Sequence, residues 1–329
     1  MHKIIGIGNA IVDFFVKVDE SFFAKNNLVK GSMSLVDENF FKANINLKFE
    51  KFCSGGSVGN SIANLANLGL DVEFIGNVGN DNTGKLFIHE IENKNCKFNG
   101  FISPNQHTAS SFIFVSTDGQ RTMATYLGCA PQIDPNLITE KLFSQGKILL
   151  IEGYLWDRPE SILAIKKAIE LAKQQKLKIA FSLSDGFCVD RHKKDFLELI
   201  KNDVDILIAN ESEINKLTNI QPSDLTLITK FINDLNPQLI LALTLGAKGS
   251  AIFHNNEIFS AKGYLVQNVI DTTGAGDIFA SAFLYQFQNG KSFMDCADFA
   301  NFLASKIIQK FGARFELNEI ENFINEFKK

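Results

Sequence analysis

Residues 271–280, DTTGAGDIFA, place a Gly-Ala-Gly turn between two carboxylates at the point where an apolar helical pattern begins. Small residues ahead of a helix leave free backbone N–H groups converging on one spot, and with the helix dipole they form a site for an anion. Asp277 stands at the mouth of that site. Beside a resident anion its charge would only repel; beside a phosphoryl group in transfer it can accept the proton of the attacking hydroxyl. The stretch therefore points to phosphoryl transfer, with Asp277 as general base and the N–H groups of Gly274, Ala275 and Gly276 stabilising the charge that develops. Glycine lets the backbone come close to the reacting group. Taken alone, Asp277 has a plainer use, electrostatic support of a helix N-terminus.

Upstream of this turn, apolar strand-like runs alternate with helical ones, and glycines sit at the junctions. KIIGIGNA, DVEFIGNVG, KILLIEGYL, KIAFSLSD, VDILIAN, QLILALTLG and AKGSAIFHN read as strands; GNSIANLANLGL, TGKLFIHEIENKN, SILAIKKAIELAKQQ, RHKKDFLELIKN and ESEINKLT read as helices. Alternation of this kind predicts parallel β-α-β units with helices on both faces of a sheet, an α/β core. Two segments break the rhythm. Residues 11–36 and 107–127 carry alternating or β-branched runs joined by turn residues such as TDGQ, and predict added antiparallel strands. A small sheet built from them would form a lid over the strand ends, where ligands of open α/β sheets bind. No linker or repeat divides the chain, so residues 1–329 read as one domain.

Composition narrows the function classes. At 45% hydrophobic and 21% charged, with a net charge of -4 and no dense Lys/Arg run, the chain reads as a soluble globular protein with no basic stripe to meet nucleic-acid phosphates. Its partners should be small molecules. No segment approaches the roughly 20 apolar residues that span a bilayer, and Asp13 interrupts the apolar N-terminal run. Cys53, Cys96, Cys129, Cys188 and Cys296 are scattered without a C-x-x-C pair, as expected of reduced thiols in a cytoplasmic protein. His2, His89, His107, His192 and His254 show no metal-ligand spacing. Two glycine motifs compete as phosphate sites and fail: GIGNAI has Ile11 where a third glycine belongs, and GNDNTGKL has Leu86 where a hydroxyl should meet Mg²⁺. The second is expected to be a turn with Asn82 or Thr83 capping the next helix.

DTTGAGD and GGSVGN (55–60) resemble the two signatures of the PfkB (ribokinase) family of sugar and nucleoside kinases. GNAIVD (8–13) resembles its substrate-binding strand, ANESE (209–213) contains its N-x-x-E, and TLGAKGS (244–250) matches its nucleotide-binding turn, in family order over essentially the whole chain. The resemblance implies a ribokinase-like three-layer α/β/α core with a mainly parallel central sheet and a small β-sheet lid, and transfer from ATP with Mg²⁺ to a primary hydroxyl. It implies that Asp13, Gly55, Gly56 and Asn60 hold the substrate. Asn210 and Glu213 would organise Mg²⁺ through water, although NESE is also a capping pattern. Thr244, Gly246 and Gly249 would border the nucleotide, with Asn301 on the adenine side; Asp271, Thr273 and carbonyls near Gly312 resemble a monovalent-cation (K⁺) loop. Arg121, in DGQRT, either swings over a phosphoryl group or is a solvated hairpin arginine.

GNAIVD, VKGSMSLVD and LSDGF look closest to the adenosine-kinase-like branch, so a nucleoside is the first expectation. The alternatives are a ribokinase- or fructokinase-like sugar kinase and a catalytically silent binding protein. A purine needs an apolar wall, for which Phe14, Phe15, Phe112 and Phe114 are candidates; alternation sends neighbours to opposite faces without saying which line the pocket. The expected assembly is a monomer or a homodimer, depending on whether the lid sheet pairs with another subunit.

Overall fold

In the computed structural model, which describes residues 3–328, the central strands are the continuous apolar runs, because a parallel strand flanked by helices is buried on both faces. In chain order the strands are β1 (Lys3–Ile7), β2 (Ile11–Lys17), β3 (Met33–Leu35), β4 (Lys51–Ser54), β5 (Asp71–Ile75), β6 (Asn77–Gly79), β7 (Cys96–Phe98), β8 (Phe101–Ser103), β9 (Ala109–Val115), β10 (Arg121–Tyr126), β11 (Gly146–Glu152), β12 (Lys178–Ser182), β13 (Ile206–Asn210), β14 (Ile240–Thr244), β15 (Gly249–His254) and β16 (Glu257–Lys262). The α-helices are α1 (Glu20–Lys25), α2 (Glu38–Asn44), α3 (Ser57–Asn67), α4 (Asn82–Glu92), α5 (Pro159–Gln174), α6 (Gly186–Asn202), α7 (Glu211–Thr218), α8 (Leu225–Leu235), α9 (Ala275–Gln288), α10 (Phe293–Ile307) and α11 (Leu317–Phe327).

Nine strands form the main sheet in the order β16-β15-β14-β13-β12-β11-β1-β5-β7. Every neighbouring pair from β14 to β7 is parallel, and β15 and β16 add an antiparallel edge. Alternate side chains feed two cores. Ile4, Phe74 and Leu150 pack with Val58 and Ile62 of α3 and Phe279 and Phe283 of α9 on one face. Ile5, Ile7 and Ile151 pack with Ile165 of α5 and Phe196 of α6 on the other. This is a ribokinase-like α/β fold, as expected.

The second sheet, β3-β10-β9-β2-β4, draws on more chain than residues 11–36 and 107–127, since β4 forms one edge. It is also mixed rather than antiparallel: β2 runs parallel to β9, and β10 parallel to β3. Period-2 alternation fixes which residues share a face but carries nothing about strand direction. Phe14, Phe112 and Phe114 are buried on the outer face, where α1, α2 and the chain after them bring Phe22, Phe41 and Phe49 onto them. Phe14 lies 4.5 Å from Phe49 and Phe22 4.5 Å from Phe114, ring to ring. These three phenylalanines are the lid's own core and are withdrawn as candidate purine contacts.

Other expectations change in detail. DVEFIGNVG divides at Gly76 into β5 in the main sheet and β6, which pairs with β8 instead. In GNDNTGKL the cap of α4 is Asp81, whose carboxylate accepts from Gly84 N at 2.7 Å and also from Thr108; Lys85 is exposed, so the segment is a short turn and a capped helix start. All five cysteines are free, and among the described residues no cluster of His, Cys, Asp and Glu could hold a metal by itself; His2 lies outside them. No helix of the described residues is long and apolar enough to cross a membrane.

Candidate active site

The order of the main sheet reverses at β1, with β11 to β14 on one side and β5 and β7 on the other. A crevice opens beyond the carboxyl ends of strands at such a switch point. Glu152, the last residue of β11, is 1% exposed there. Its Oε1 accepts from Asn9 N (2.8 Å) and Asn9 Nδ2 (2.7 Å), just past β1, and its Oε2 accepts from Val58 N (2.9 Å), in the first turn of α3. A side chain at Gly8 would lie 2.8 Å from Oε2, so that position must be glycine. Burial pushes the Glu152 carboxyl up to about 7, against the hydrogen bonds from Val58 and Asn9. Asn9 itself is 3% exposed and its Oδ1 has no partner among the described residues, an acceptor left over at the head of the cleft.

Glu152 was not found by sequence reasoning, since a lone Glu at a strand end carries no pattern. Burial opposes ionisation of Glu152, so the stability it contributes is lost as pH rises from the ordinary carboxylate range through about 7, and Glu152→Gln is expected to remove its share of that loss. Denaturant midpoints followed between about pH 5 and 8 measure this, and parallel profiles for the two proteins would show that Glu152 does not titrate at the clamp.

Below this clamp, Asp277 sits in the first turn of α9, partly open to the cleft. Ser57 Oγ donates to its Oδ1 at 2.7 Å and Asn60 Nδ2 to its Oδ2 at 2.9 Å. Burial raises its pKa, while the Asn60 and Ser57 hydrogen bonds and the charge of Arg314 oppose the rise. A carboxylate made more basic in this way, on a residue only partly buried, is suited to accept a proton. Gly274 caps the helix with φ +79°, and a side chain there would strike Ala313 at 2.3 Å. Gly276 is different. It is exposed, and a Cβ added to it would meet nothing within 4 Å, so the fold itself does not require glycine. The space over the N-terminus of α9 is what a phosphate would need.

Asp13 comes in from β2. Gly55 must lack a side chain because a Cβ would lie 2.6 Å from Asp13 Oδ2, and Gly56, at φ +84°, because a Cβ would lie 2.3 Å from the Asn9 carbonyl oxygen. Burial pushes Asp13 up to about 7; Arg314 opposes the shift, Asp277 adds to it, and Arg121 opposes it. Asp13, Ser111 and Thr125 form one cross-strand row on the inner face of the lid, with Ser111 and Thr125 hydroxyls 2.9 Å apart. Phe15, Ile113 and Met123 form the next row. The substrate candidates Asp13, Gly55, Gly56 and Asn60 thus converge with Asp277, Gly274, Ala275 and Gly276.

The remaining candidates lie farther along the sheet. Asn210 ends β13 and is registered with Thr244, which ends β14; the Thr244 hydroxyl donates to Ala209 O at 3.4 Å. Asn210 and Glu213 form a reciprocal capping box on α7, so the plainer reading of NESE is present here. Burial pushes the Glu213 carboxyl up to about 7, opposed by the Asn210 N–H and assisted by the nearby Asp185 charge. Both Glu213 oxygens accept from Asn210, so this carboxylate suits a cation that keeps its own water shell rather than one bound directly. Gly246 (φ +57°) and Gly249 (φ +106°) shape the turn after β14. Asn301 is buried, and its amide N–H groups bond Ala261 O and Lys262 O at 3.1 and 3.2 Å, tying α10 to β16.

Arg121 is largely withdrawn from solvent and meets the first residue of DTTGAGD. Its Nη1 meets Asp271 Oδ2 at 2.6 Å, and its guanidinium lies 4.8 Å from the Phe311 ring centre and 5.4 Å from that of Phe15. Asp271 also accepts from Gly312 N on Oδ2 and from Thr273 N on Oδ1. Both oxygens of Asp271 are thus engaged, and the Arg121 guanidinium brings a positive charge to the loop expected to hold K⁺.

With this geometry described, comparison with known proteins defines the class. The model of the pfkB carbohydrate kinase family matches residues 25–320, and the chain belongs to that family. It is a kinase, a phosphotransferase with an alcohol group as acceptor. Adenosine kinase from Sinorhizobium meliloti has a similar structure, with a TM-score of 0.86 and 33% identity over 98% of each chain. A probable sugar kinase from Rhizobium etli gives a TM-score of 0.87 at 33% identity, again over 98% of each chain. The 5-dehydro-2-deoxygluconokinase of Listeria monocytogenes is 26% identical over 80% of this chain and 83% of its own length.

Proposed function

We propose that the protein is an ATP- and Mg²⁺-dependent nucleoside kinase of the cytoplasm, with adenosine as its first acceptor. The observation that carries the choice of acceptor is the pair of rows on the inner face of the lid. Asp13, Ser111 and Thr125 offer polar groups to a ribose, and the adjoining apolar row, Phe15, Ile113 and Met123, offers a wall to a purine. A small free sugar has no use for the second row. The similarity to the S. meliloti adenosine kinase supports the same reading.

ATP supplies the phosphoryl group and Mg²⁺ offsets the charge on its phosphates. The N–H groups of Gly274 and Gly276, with that of Ala275, which here donates to Thr272 O at 3.2 Å, would hold the phosphoryl oxygens; Asn210 and Glu213 would hold the metal through water, and Thr244, Gly246 and Gly249 would border the nucleotide. Asp13 and the Gly55–Gly56 turn orient the ribose so that its primary hydroxyl lies beside Asp277. Asp277 takes the hydroxyl proton, steadied by Ser57 and Asn60. The lid and the Glu152 clamp keep water from competing as acceptor.

A panel of adenosine, other nucleosides, ribose, fructose and ketodeoxygluconate, assayed with ATP and Mg²⁺, tests this. The highest kcat/KM is expected for adenosine. A clear preference for a free sugar would overturn the nucleoside assignment and leave the phosphoryl-transfer chemistry standing; phosphorylation of nothing on a wider panel would mean a silent binding protein on the same fold.

A further inference from the structure

Arg314 follows α10 on the turn that leads into α11, and no sequence motif singled it out. Its guanidinium is drawn in behind the substrate loops. Nε donates to Asn60 Oδ1 at 2.9 Å, Nη1 donates to the Ser54 hydroxyl at the end of β4, and Nη2 lies 3.4 Å from the Gly55 carbonyl oxygen. All three partners are neutral, and among the described residues Arg314 forms no ion pair. A cation drawn into protein without a paired carboxylate is costly, so it calls for a compensating use.

That use is visible in Asn60. Its amide bridges Arg314 and Asp277, with Oδ1 on the guanidinium and Nδ2 on Asp277 Oδ2. Arginine has no acceptor and a carboxylate has no donor, so only this orientation of the amide satisfies both. We propose that Arg314 is a positioning residue for the base: by holding Asn60 Oδ1 it keeps Asn60 Nδ2 on Asp277, and through Ser54 and Gly55 it ties that arrangement to the lid and the substrate turn. The inference rests on the reading of Asp277 as general base. Without Arg314 the Asn60 amide is free to turn its oxygen toward Asp277, and the carboxylate loses its fixed direction.

The field of Arg314 acts in the same sense. It opposes the rise that burial imposes on Asp277 and Asp13. The groups that face Arg314 are Asp13 on β2, Cys53 on β4, Glu90 on α4 and Cys96 on β7; Asp277 in turn faces Asp13 and Glu152. Removing the cation therefore makes Asp277 harder to ionise, and the acidic limb of the kcat profile moves to higher pH.

The test compares Arg314→Gln, Arg314→Lys, Asn60→Ala, the double variants Asn60→Ala/Arg314→Gln and Asn60→Ala/Arg314→Lys, and Asp277→Asn, with ATP, Mg²⁺ and the acceptor that ranks first in the panel. Arg314→Gln is expected to lower kcat about 10- to 100-fold, by loss of orientation, with KM for ATP unchanged. Its acidic limb should rise by about one pH unit. Arg314→Lys, which keeps the charge and loses the fork, should return the limb to its place while kcat stays low. The double variant should lose no more than the worse of its two single changes.

A lower melting temperature in Arg314→Gln with kcat and the limb unmoved would overturn the inference. Should that variant not fold, Arg314→Lys carries the test: Asn60→Ala costing as much in the Lys background as in the wild type would overturn it equally. Asp277→Asn separates the two readings. Retained turnover there removes the base, whatever Arg314 does; lost turnover there, with Arg314→Gln unaffected, removes only the positioning role.

Discussion

Asp277→Asn is expected to keep the fold and to lose between about 10² and 10⁴ in kcat, the usual range for removal of a general base. The fold should survive because the amide suits the same two neighbours. Its oxygen can accept from Asn60 Nδ2, and its NH₂ can donate to Ser57 Oγ, whose hydroxyl is free to rotate. Burial also raises the pKa of Asp277, so replacing a charge by a neutral amide relieves a cost rather than adding one. The melting temperature should therefore hold or rise while turnover collapses, and titration calorimetry should find ATP affinity unchanged. Near-normal kcat in a preparation shown free of host kinase would sink the assignment.

Gly276→Ala is the second large effect, and it runs in opposite directions for stability and activity. Alanine favours a helical position by about 0.5 to 1 kcal/mol over glycine. Nothing stands within 4 Å of the added methyl, so the folded protein should be as stable as the wild type or more so. The methyl instead enters the space over the N-terminus of α9, and phosphoryl oxygens held off the N–H groups should lower kcat by about 10² to 10³. Gly274→Ala provides the contrast, because its methyl would meet Ala313 at 2.3 Å from a backbone at φ +79°, and stability falls first. Equal activity of Gly276→Ala and the wild type would mean that the phosphoryl group lies elsewhere.

The arrangement also explains why substrate binding and phosphoryl transfer share one small region. Asn60, in α3, reaches Asp277 and Arg314 at once, and Ser57, in the first turn of the same helix, reaches Asp277. In the proposed reaction a substrate at Asp13 would meet β2, which pairs with β4, and β4 ends at Ser54, against Arg314. A single network thus runs from the lid to the base.

Periodicity and turn chemistry sufficed for the alternating α/β core, since continuous apolar strands and amphipathic helices are local properties of the chain. DTTGAGD and GGSVGN, each contiguous, marked the residues proposed here as base, anion turn and substrate turn. Glu152 and Arg314 left no such mark, and Ser57 and Asn9 stood inside GGSVGN and GNAIVD without a role of their own: each acts through partners between 94 and 260 positions away, brought near only by the return of β1, β11 and the turn after α10 to one end of the sheet. The lid shows the same division. Alternation placed Phe14 and Phe15 on opposite faces, but burial of one and exposure of the other to the cleft waited on α1 and α2 covering the outer side. Arg121 was legible as a lid arginine, and only packing could show that it meets Asp271, because an ion pair between residues 150 positions apart has no local signature. Local sequence dictates the elements and their faces through short-range sterics and burial; which distant charges meet is decided by the sheet order, and the chemistry of this site depends on those meetings.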